Sequence, residues 1–286
     1  MVRVKYTFGS RHTGHLENIE KQRGKYPDVM KDVVRISDII LEVLDARFVE
    51  ETRNIKVEED LAFKDKKIIY ILNKADLVNV KKIEKELDKN LRPFVFVSTK
   101  TRFGSRDLRK KIRIEAKKVK LGEKIDDEGA IRKKVHVGII GYPNVGKSSL
   151  INLITRRGAA KTSKQAGYTR GMQKIRLNDK ISILDTPGVI PESRYSGDTK
   201  MALSQDAKLG ARTYSDVKDP EDVVFYLMKE NFEKLEKFYK IKAGGDVEVL
   251  IEELGRAKNF LRKGGKIDVD RTARLILKDW QEGKIK

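Results

Sequence analysis

The run Gly141-Tyr142-Pro143-Asn144-Val145-Gly146-Lys147-Ser148 sets two glycines ahead of a lysine and a serine. Glycine backbone can aim N–H groups at a phosphate, and a helix starting beside the lysine adds its dipole. The candidate phosphate ligands are Asn144, Val145, Gly146, Lys147, Ser148 and Ser149, with Lys147 bridging two phosphates and Ser148 on a magnesium ion. Asp185-Thr186-Pro187-Gly188 offers a carboxylate to the same magnesium shell and the Gly188 N–H to a terminal phosphate. Thr169, within Gly167-Tyr168-Thr169-Arg170, is placed to close onto that phosphate and the metal. Asn73-Lys74-Ala75-Asp76 has the chemistry to read a base. A carboxylate at Asp76 accepts from both the ring N–H and the exocyclic amine of guanine. Adenine offers no such donor pair and would leave a buried acceptor unpaired. Lys74 is expected across the base plane, with Ser98, Thr99 and Lys100 buttressing its far side.

These pieces specify GTP or GDP with magnesium, and their order along the chain is unusual. A small GTPase runs phosphate loop, switch threonine, DxxG and then NKxD. Here NKxD and the Ser98 segment come first, as though the ring of motifs had been cut between DxxG and NKxD.

The elements that must hold these motifs are apolar runs of strand length. Ile39–Leu44, Lys67–Leu72, Phe94–Val97, Val135–Ile140 and Ile181–Leu184 each end where a motif or a polar residue begins. Motifs just past the carboxyl ends of alternating strands predict an α/β fold with a doubly wound, mostly parallel sheet. After residue 190 the strand signal stops. Glu221–Tyr239, Asp246–Leu261 and Asp268–Trp280 read as amphipathic helices separated by Gly244-Gly245 and Gly264-Gly265. In the second, Val247, Leu250, Ile251, Leu254, Ala257 and Leu261 share a face. The expected organisation is an N-terminal arm over 1–20, a permuted nucleotide-binding domain over 21–195 and a small all-α domain over 196–286.

With 286 residues the chain can bury a substantial core. It has no cysteine, which excludes disulfides and cysteine-based zinc sites. No apolar run approaches a membrane span and no signal-peptide core opens the chain, so a soluble, cytoplasmic protein without a membrane partner is expected. The net charge is +20, concentrated in residues 1–189, which hold 43 basic against 25 acidic residues. From Arg156 to Lys180 there are eight basic residues and one acid, Asp179. Such asymmetry favours a polyanion, nucleic acid above all, over a merely solvated basic face.

The motifs in this order resemble those of the circularly permuted ribosome-assembly GTPases of the YlqF/YawG family, along nearly the whole chain. Asp45-Ala46-Arg47 with Arg53-Asn54 is similar to the family's DARxP…RNP segment, with Val49 and Ile55 where the family has proline. Gly14-His15 is similar to its PGHM signature. The resemblance implies GTP hydrolysis as a switch in ribosome assembly, usually of the large subunit, with the helical domain touching rRNA. A protein that is monomeric off the ribosome is expected. The alternative is a GTP-dependent scaffold that recruits a protein and does not act on RNA.

Val189 follows DxxG where Ras-like enzymes have the glutamine that orients water, so unassisted turnover is expected to be slow. Two residues are candidates to complete the catalytic set of Lys147, Thr169 and Gly188. By resemblance, Asn144 holds a potassium ion beside the phosphates, or else merely braces its loop. By resemblance, too, His15 approaches the γ-phosphate, or else is a surface histidine beside His12.

Overall fold

In a computed structural model, residues 31–63, 66–121, 133–155, 173–185 and 199–285 are described. Six strands form one sheet: β1 (Ile39–Asp45), β2 (Lys67–Asn73), β3 (Phe94–Phe96), β4 (Val135–Gly141), β5 (Gln173–Arg176) and β6 (Ile181–Asp185). Their order is β3-β2-β1-β4-β6-β5, with every pair parallel except β5 against β6. The chain winds outward from β1 in one direction, then restarts at β4 on the other side of β1. The topological switch point, where open α/β sheets bind ligands, therefore lies between the carboxyl ends of β1 and β4.

All seven residues of β1 are buried, as a strand covered on both faces requires. One face carries Leu41, Val43, Ile71, Val137, Ile139 and Ile183. It packs on Leu108 and Ile112 of α4 (Ser105–Lys118) and on Leu150, Ile151 and Ile154 of α5 (Lys147–Thr155). On the opposite face Ile40, Ile140 and Leu184 meet Val57 and Leu61 of α2 (Ile55–Phe63). Two short helices, α1 (Val49–Thr52) and α3 (Val80–Glu86), complete this half.

Glu42 lies on that second face with its side chain wholly buried, and burial pushes its carboxyl up to about 8. Its Oε1 accepts the Asn54 N–H at 2.9 Å, while Arg53 grips Glu58 through Nε at 2.9 Å and Nη2 at 2.7 Å. The Arg53-Asn54 pair thus seats the start of α2 on the middle of β1.

The second half is helical: α6 (Thr199–Lys208), α7 (Pro220–Tyr239), α8 (Val247–Ala257) and α9 (Val269–Gln281). Leu227, Met228, Leu250, Leu254, Ile276, Leu277 and Trp280 form its core. Asp246 caps α8 by accepting from Glu248 and Val249, and Asp268 caps α9 by accepting from Arg271. The expected extension of α8 to Leu261 is wrong. Asn259 adopts a left-handed φ of 54°, and the Asn259 and Phe260 N–H groups return to the Arg256 and Gly255 carbonyls. That Schellman closure ends the helix at Ala257, which is exposed, and leaves Leu261 47% exposed in a bridge to Ile267. Among the described residues no helix is long and apolar enough to cross a membrane.

Candidate nucleotide site

Five strand ends converge: Asp45, Asn73 and Asp185 close β1, β2 and β6, Gly141 closes β4, and Ser98 follows β3. The phosphate-binding candidate begins at Gly141, whose φ of 146° and position 2.4 Å from Val43 O (for a notional Cβ) leave room for no side chain. Gly146, at φ 102°, brings its backbone against Asn73; a Cβ there would lie 2.3 Å from Asn73 Nδ2. Both glycines serve a close approach of backbone to a neighbouring element.

Lys147 opens α5 and is buried, its Nζ folded back onto the carbonyls of Gly141 (3.0 Å) and Tyr142 (2.9 Å). Burial brings this ammonium down to about 8, and the nearby Asp185 carboxylate opposes that fall. Ser148 and Ser149 are half-buried in the first turn of α5, and Val145 is fully buried beneath the loop. Magnesium fits the donor chemistry here. A serine hydroxyl and a buried carboxylate are hard oxygen donors, and two of them suffice only for an ion that also holds phosphates and water. Among the described residues no cluster of His, Cys, Asp or Glu could hold a metal by itself.

At the other end of the site Asp76 sits in a 3-10 turn, Ala75–Leu77, and its Oδ1 accepts the Ser98 hydroxyl at 2.6 Å. Ser98 is fully buried and its Oγ also accepts the Thr101 N–H at 3.1 Å. One carboxylate oxygen is thereby fixed, which orients the other. Thr99 is half-buried and Lys100 exposed beside it. Lys74 has a left-handed φ of 61° and directs its ammonium to Asp45 Oδ2 at 2.7 Å.

Asn73 braces the two ends of the site. Its Nδ2 donates to the Val145 carbonyl at 2.6 Å, and its Oδ1 accepts the Thr99 N–H at 3.4 Å. A buried amide holding phosphate loop and base loop at a fixed separation is a positioning device. The Asn144 Nδ2 likewise donates to the Gly210 carbonyl at 2.7 Å. With Tyr142 OH on Asp206 Oδ1, this ties the phosphate loop to the last turns of α6 and the turn that follows it. Among the expected residues, His15, Thr169, Gly188 and Val189 lie outside the described ones, as does most of the basic stretch from Arg156 to Lys180.

Sequence reasoning missed the Tyr142–Asp206 bond and the brace role of Asn73. Neither carries a local signal, because the partners are 64 and 72 residues apart.

A mostly parallel sheet with this strand order, closed by a glycine loop and a Ser98-backed Asp76, defines a class: the permuted P-loop GTPases. A family model described as a 50S ribosome-binding GTPase matches residues 136–252. The chain superposes on the crystal structure of GNP-bound YlqF from T. maritima with a TM-score of 0.61, over 91% of this chain and 94% of that one. At 23% identity that likeness speaks for the fold. It is 36% identical over 261 residues to the uncharacterized GTP-binding protein MJ1464 of Methanocaldococcus jannaschii, covering 90% of this chain and 65% of that protein. It is 32% identical to the nuclear GTP-binding protein NUG1 of Saccharomyces cerevisiae, over 93% of this chain and 56% of that one. With the nucleolar GTP-binding protein 2 of Neurospora crassa it shares 34% identity, over 88% of this chain and 40% of that one. The chain therefore spans between 40% and 65% of the length of these relatives. By fold it is a circularly permuted P-loop GTPase like YlqF, and in sequence it is similar to these GTP-binding proteins.

The expectation of a cytoplasmic protein is overturned here, since two of these relatives are named as nuclear and nucleolar proteins. Lack of cysteine and of an apolar span separates reducing aqueous compartments from oxidising ones and from membranes. It does not separate cytosol from nucleus.

Proposed function

We propose that this protein hydrolyses GTP to GDP and phosphate as a switch in ribosome assembly, acting on the large-subunit particle and contacting its RNA. The observation that carries this reading is the convergence of Lys147, Asp185 and the Ser98-held Asp76 at the carboxyl ends of one sheet. In it, Asp76, Lys74 and the Ser98–Lys100 loop take guanine, and the loop from Asn144 to Ser149 takes the phosphates. Ser148, Asp185 and Thr169 hold magnesium, and the Gly188 N–H meets the γ-phosphate. Lys147, Thr169 and Gly188 stabilise charge in the transition state, with His15 supplying the group that Val189 cannot. Potassium beside Asn144 is part of this proposal. The Asn144 amide N–H is engaged by Gly210, so the ion would meet the side-chain oxygen. The organisation proposed is an arm over 1–20, a GTPase domain over 21–195 and a helical domain over 196–286, monomeric off the ribosome.

Hydrolysis is measured with and without purified ribosomal subunits, in potassium and then in sodium. Turnover is expected to rise with the large subunit and to fall when sodium replaces potassium. Equal rates in the two salts would remove the ion from the proposal, and indifference to both subunits would remove the ribosome.

An RNA contact is supported by one face of α4. Arg106, Lys110, Arg113 and Lys117 recur at steps of four and three residues, all exposed, along a groove of about 480 Å³. None of the four forms an ion pair among the described residues. Phe103 and Ile114 stand exposed beside them, and a base can stack on such an aromatic. Arg109, by contrast, turns inward to the carbonyls of Leu153 (2.5 Å) and Ile154 (3.1 Å) and caps α5. Replacing the four exposed cations with Gln is expected to weaken RNA binding roughly tenfold at moderate salt. It should also flatten the dependence of log K on log salt, because fewer counterions are released. Anisotropy titrations of a labelled rRNA fragment at several salt concentrations check this; an unchanged slope would move the contact elsewhere.

A further inference from the structure

The Asp45-Ala46-Arg47 segment has no part in the nucleotide chemistry described above, yet it forms a densely bonded polar cluster beside the site. Asp45 is the last residue of β1 and is fully buried. Its Oδ2 receives Lys74 Nζ and Arg47 Nη2, each at 2.7 Å. Its Oδ1 receives Arg47 Nε at 3.0 Å and the Arg47 N–H at 3.1 Å. The Asp45 N–H itself donates to Thr52 Oγ1 at 3.1 Å, which fixes the strand end. Burial alone would push this carboxyl up, but the two cations outweigh it and hold it down at about 2. One charged carboxylate is thus shared between the lysine of the base loop and an arginine.

The arginine faces the helical half of the molecule. Arg47 Nη1 donates to the Trp280 carbonyl at 3.1 Å, one of the last carbonyls of α9, where a cation also suits the helix dipole. The Trp280 ring lies 6.1 Å from that of Phe48, and its Nε1 donates to the Lys208 carbonyl at 3.1 Å. Just beyond, Gly283 (φ 70°) presses its backbone onto the 3-10 turn that carries Asp76; a Cβ there would lie 2.4 Å from Leu77 Cδ1. The end of α9 and the turn after it therefore reach the base loop by two routes, indirectly through Arg47 and Asp45 to Lys74 and directly at Leu77.

We infer that Asp45 and Arg47 are positioning residues that couple guanine recognition to the docking of α9. Asp45 holds Lys74 ready for the base plane, and Arg47 makes that arrangement depend on the end of the helical domain. The inference rests on the guanine-nucleotide reading proposed above. By linkage the coupling is reciprocal: guanine nucleotide stabilises the docked helix, and the docked helix raises affinity for the nucleotide. The route is separate from the phosphate-side contacts of Asn144 and Tyr142, so it senses the base and does not distinguish GTP from GDP. A particle that levers α9 off the sheet would free Lys74 and promote release of either nucleotide.

Hydrogen exchange followed by mass spectrometry, with and without GDP, tests this on the full chain. In the wild type, GDP is expected to slow exchange over residues 276–281 about fivefold or more. In Arg47→Met, which keeps the bulk and loses the fork, that gain should fall below about twofold while protection of 141–149 persists. Arg47→Lys should fall between the two. An equal gain over 276–281 in Arg47→Met overturns the inference. So does a wild type in which GDP protects 141–149 and leaves 276–281 untouched, a result that needs no variant to fold. Absence of GDP protection anywhere would instead overturn the guanine-nucleotide reading itself.

Discussion

Asp76→Asn is expected to lower affinity for GDP at least about a hundredfold while leaving the fold intact. Guanine presents two donors, its ring N–H and its exocyclic amine, and a carboxylate accepts both. Ser98 Oγ holds Asp76 Oδ1 at 2.6 Å, so the protein itself orients the carboxylate. An Asn at this position keeps one carbonyl oxygen and exchanges the other for an NH₂ group. Guanine's two donors need both carboxylate oxygens, so whichever way the amide turns its NH₂ faces one of them and leaves a buried donor without an acceptor. Each such mismatch costs about 1–3 kcal/mol, and sites built to hydrogen-bond a ligand discriminate more steeply still. Xanthine carries a carbonyl where guanine carries the amine, so the same variant should gain affinity for XDP. Titration with fluorescent GDP and XDP analogues measures both. Affinity for GDP within about threefold of wild type would mean that Asp76 does not read the base. Ser98→Ala provides a graded control, since it frees the carboxylate to rotate without removing it, and a loss smaller than that of Asp76→Asn is expected.

Most of this site was legible because its chemistry is local in sequence. The five parallel strands are continuous apolar runs, since a strand covered on both faces has no polar side to show. Each ends in a motif whose residues lie within a few positions of one another. β5, Gln173–Arg176, was not legible for the opposite reason: an antiparallel edge strand of Gln, Lys, Ile and Arg carries no apolar run. The amphipathic period of α8 continued to Leu261 on paper, but Asn259 could close the helix because it tolerates the left-handed region. The braces were invisible in principle. Asn73 could be matched to a motif, yet its bond to Val145 depends on how two strand ends meet. Asp45-Ala46-Arg47 stands out as a segment, but its role depends on a carbonyl 233 residues away. What the sequence displays is which groups could touch a ligand; which groups hold those in place is a property of the assembled sheet.

Lys147→Met is expected to weaken GTP binding about a hundredfold or more, and the pH dependence of the wild type should report the same ammonium. Lys147 Nζ is satisfied by two loop carbonyls in a buried pocket, at 3.0 Å and 2.9 Å, and burial brings its pKa down to about 8. Bound phosphates favour the charged form and raise that value. The sign follows directly. Below about pH 6.5 the lysine is already protonated and binding should take up almost no proton at this group, whereas at pH 8 it should take up about half a proton. Above pH 8 affinity should fall as pH rises, because the ammonium must be regenerated before it can pair with phosphate. Calorimetric titrations in two buffers of different ionisation enthalpy give the proton count directly. Loss of charge-assisted hydrogen bonds worth about 1.5–3 kcal/mol each accounts for the affinity drop in Lys147→Met, and the proton uptake at pH 8 should vanish with it. If the variant binds weakly but still takes up the proton, the titrating group is another one. If uptake in the wild type is the same at pH 6.5 and pH 8, the buried ammonium is not held down as its surroundings require. Either result would separate the role of Lys147 in binding from its protonation, two properties that its place between the loop carbonyls and Asp185 makes one.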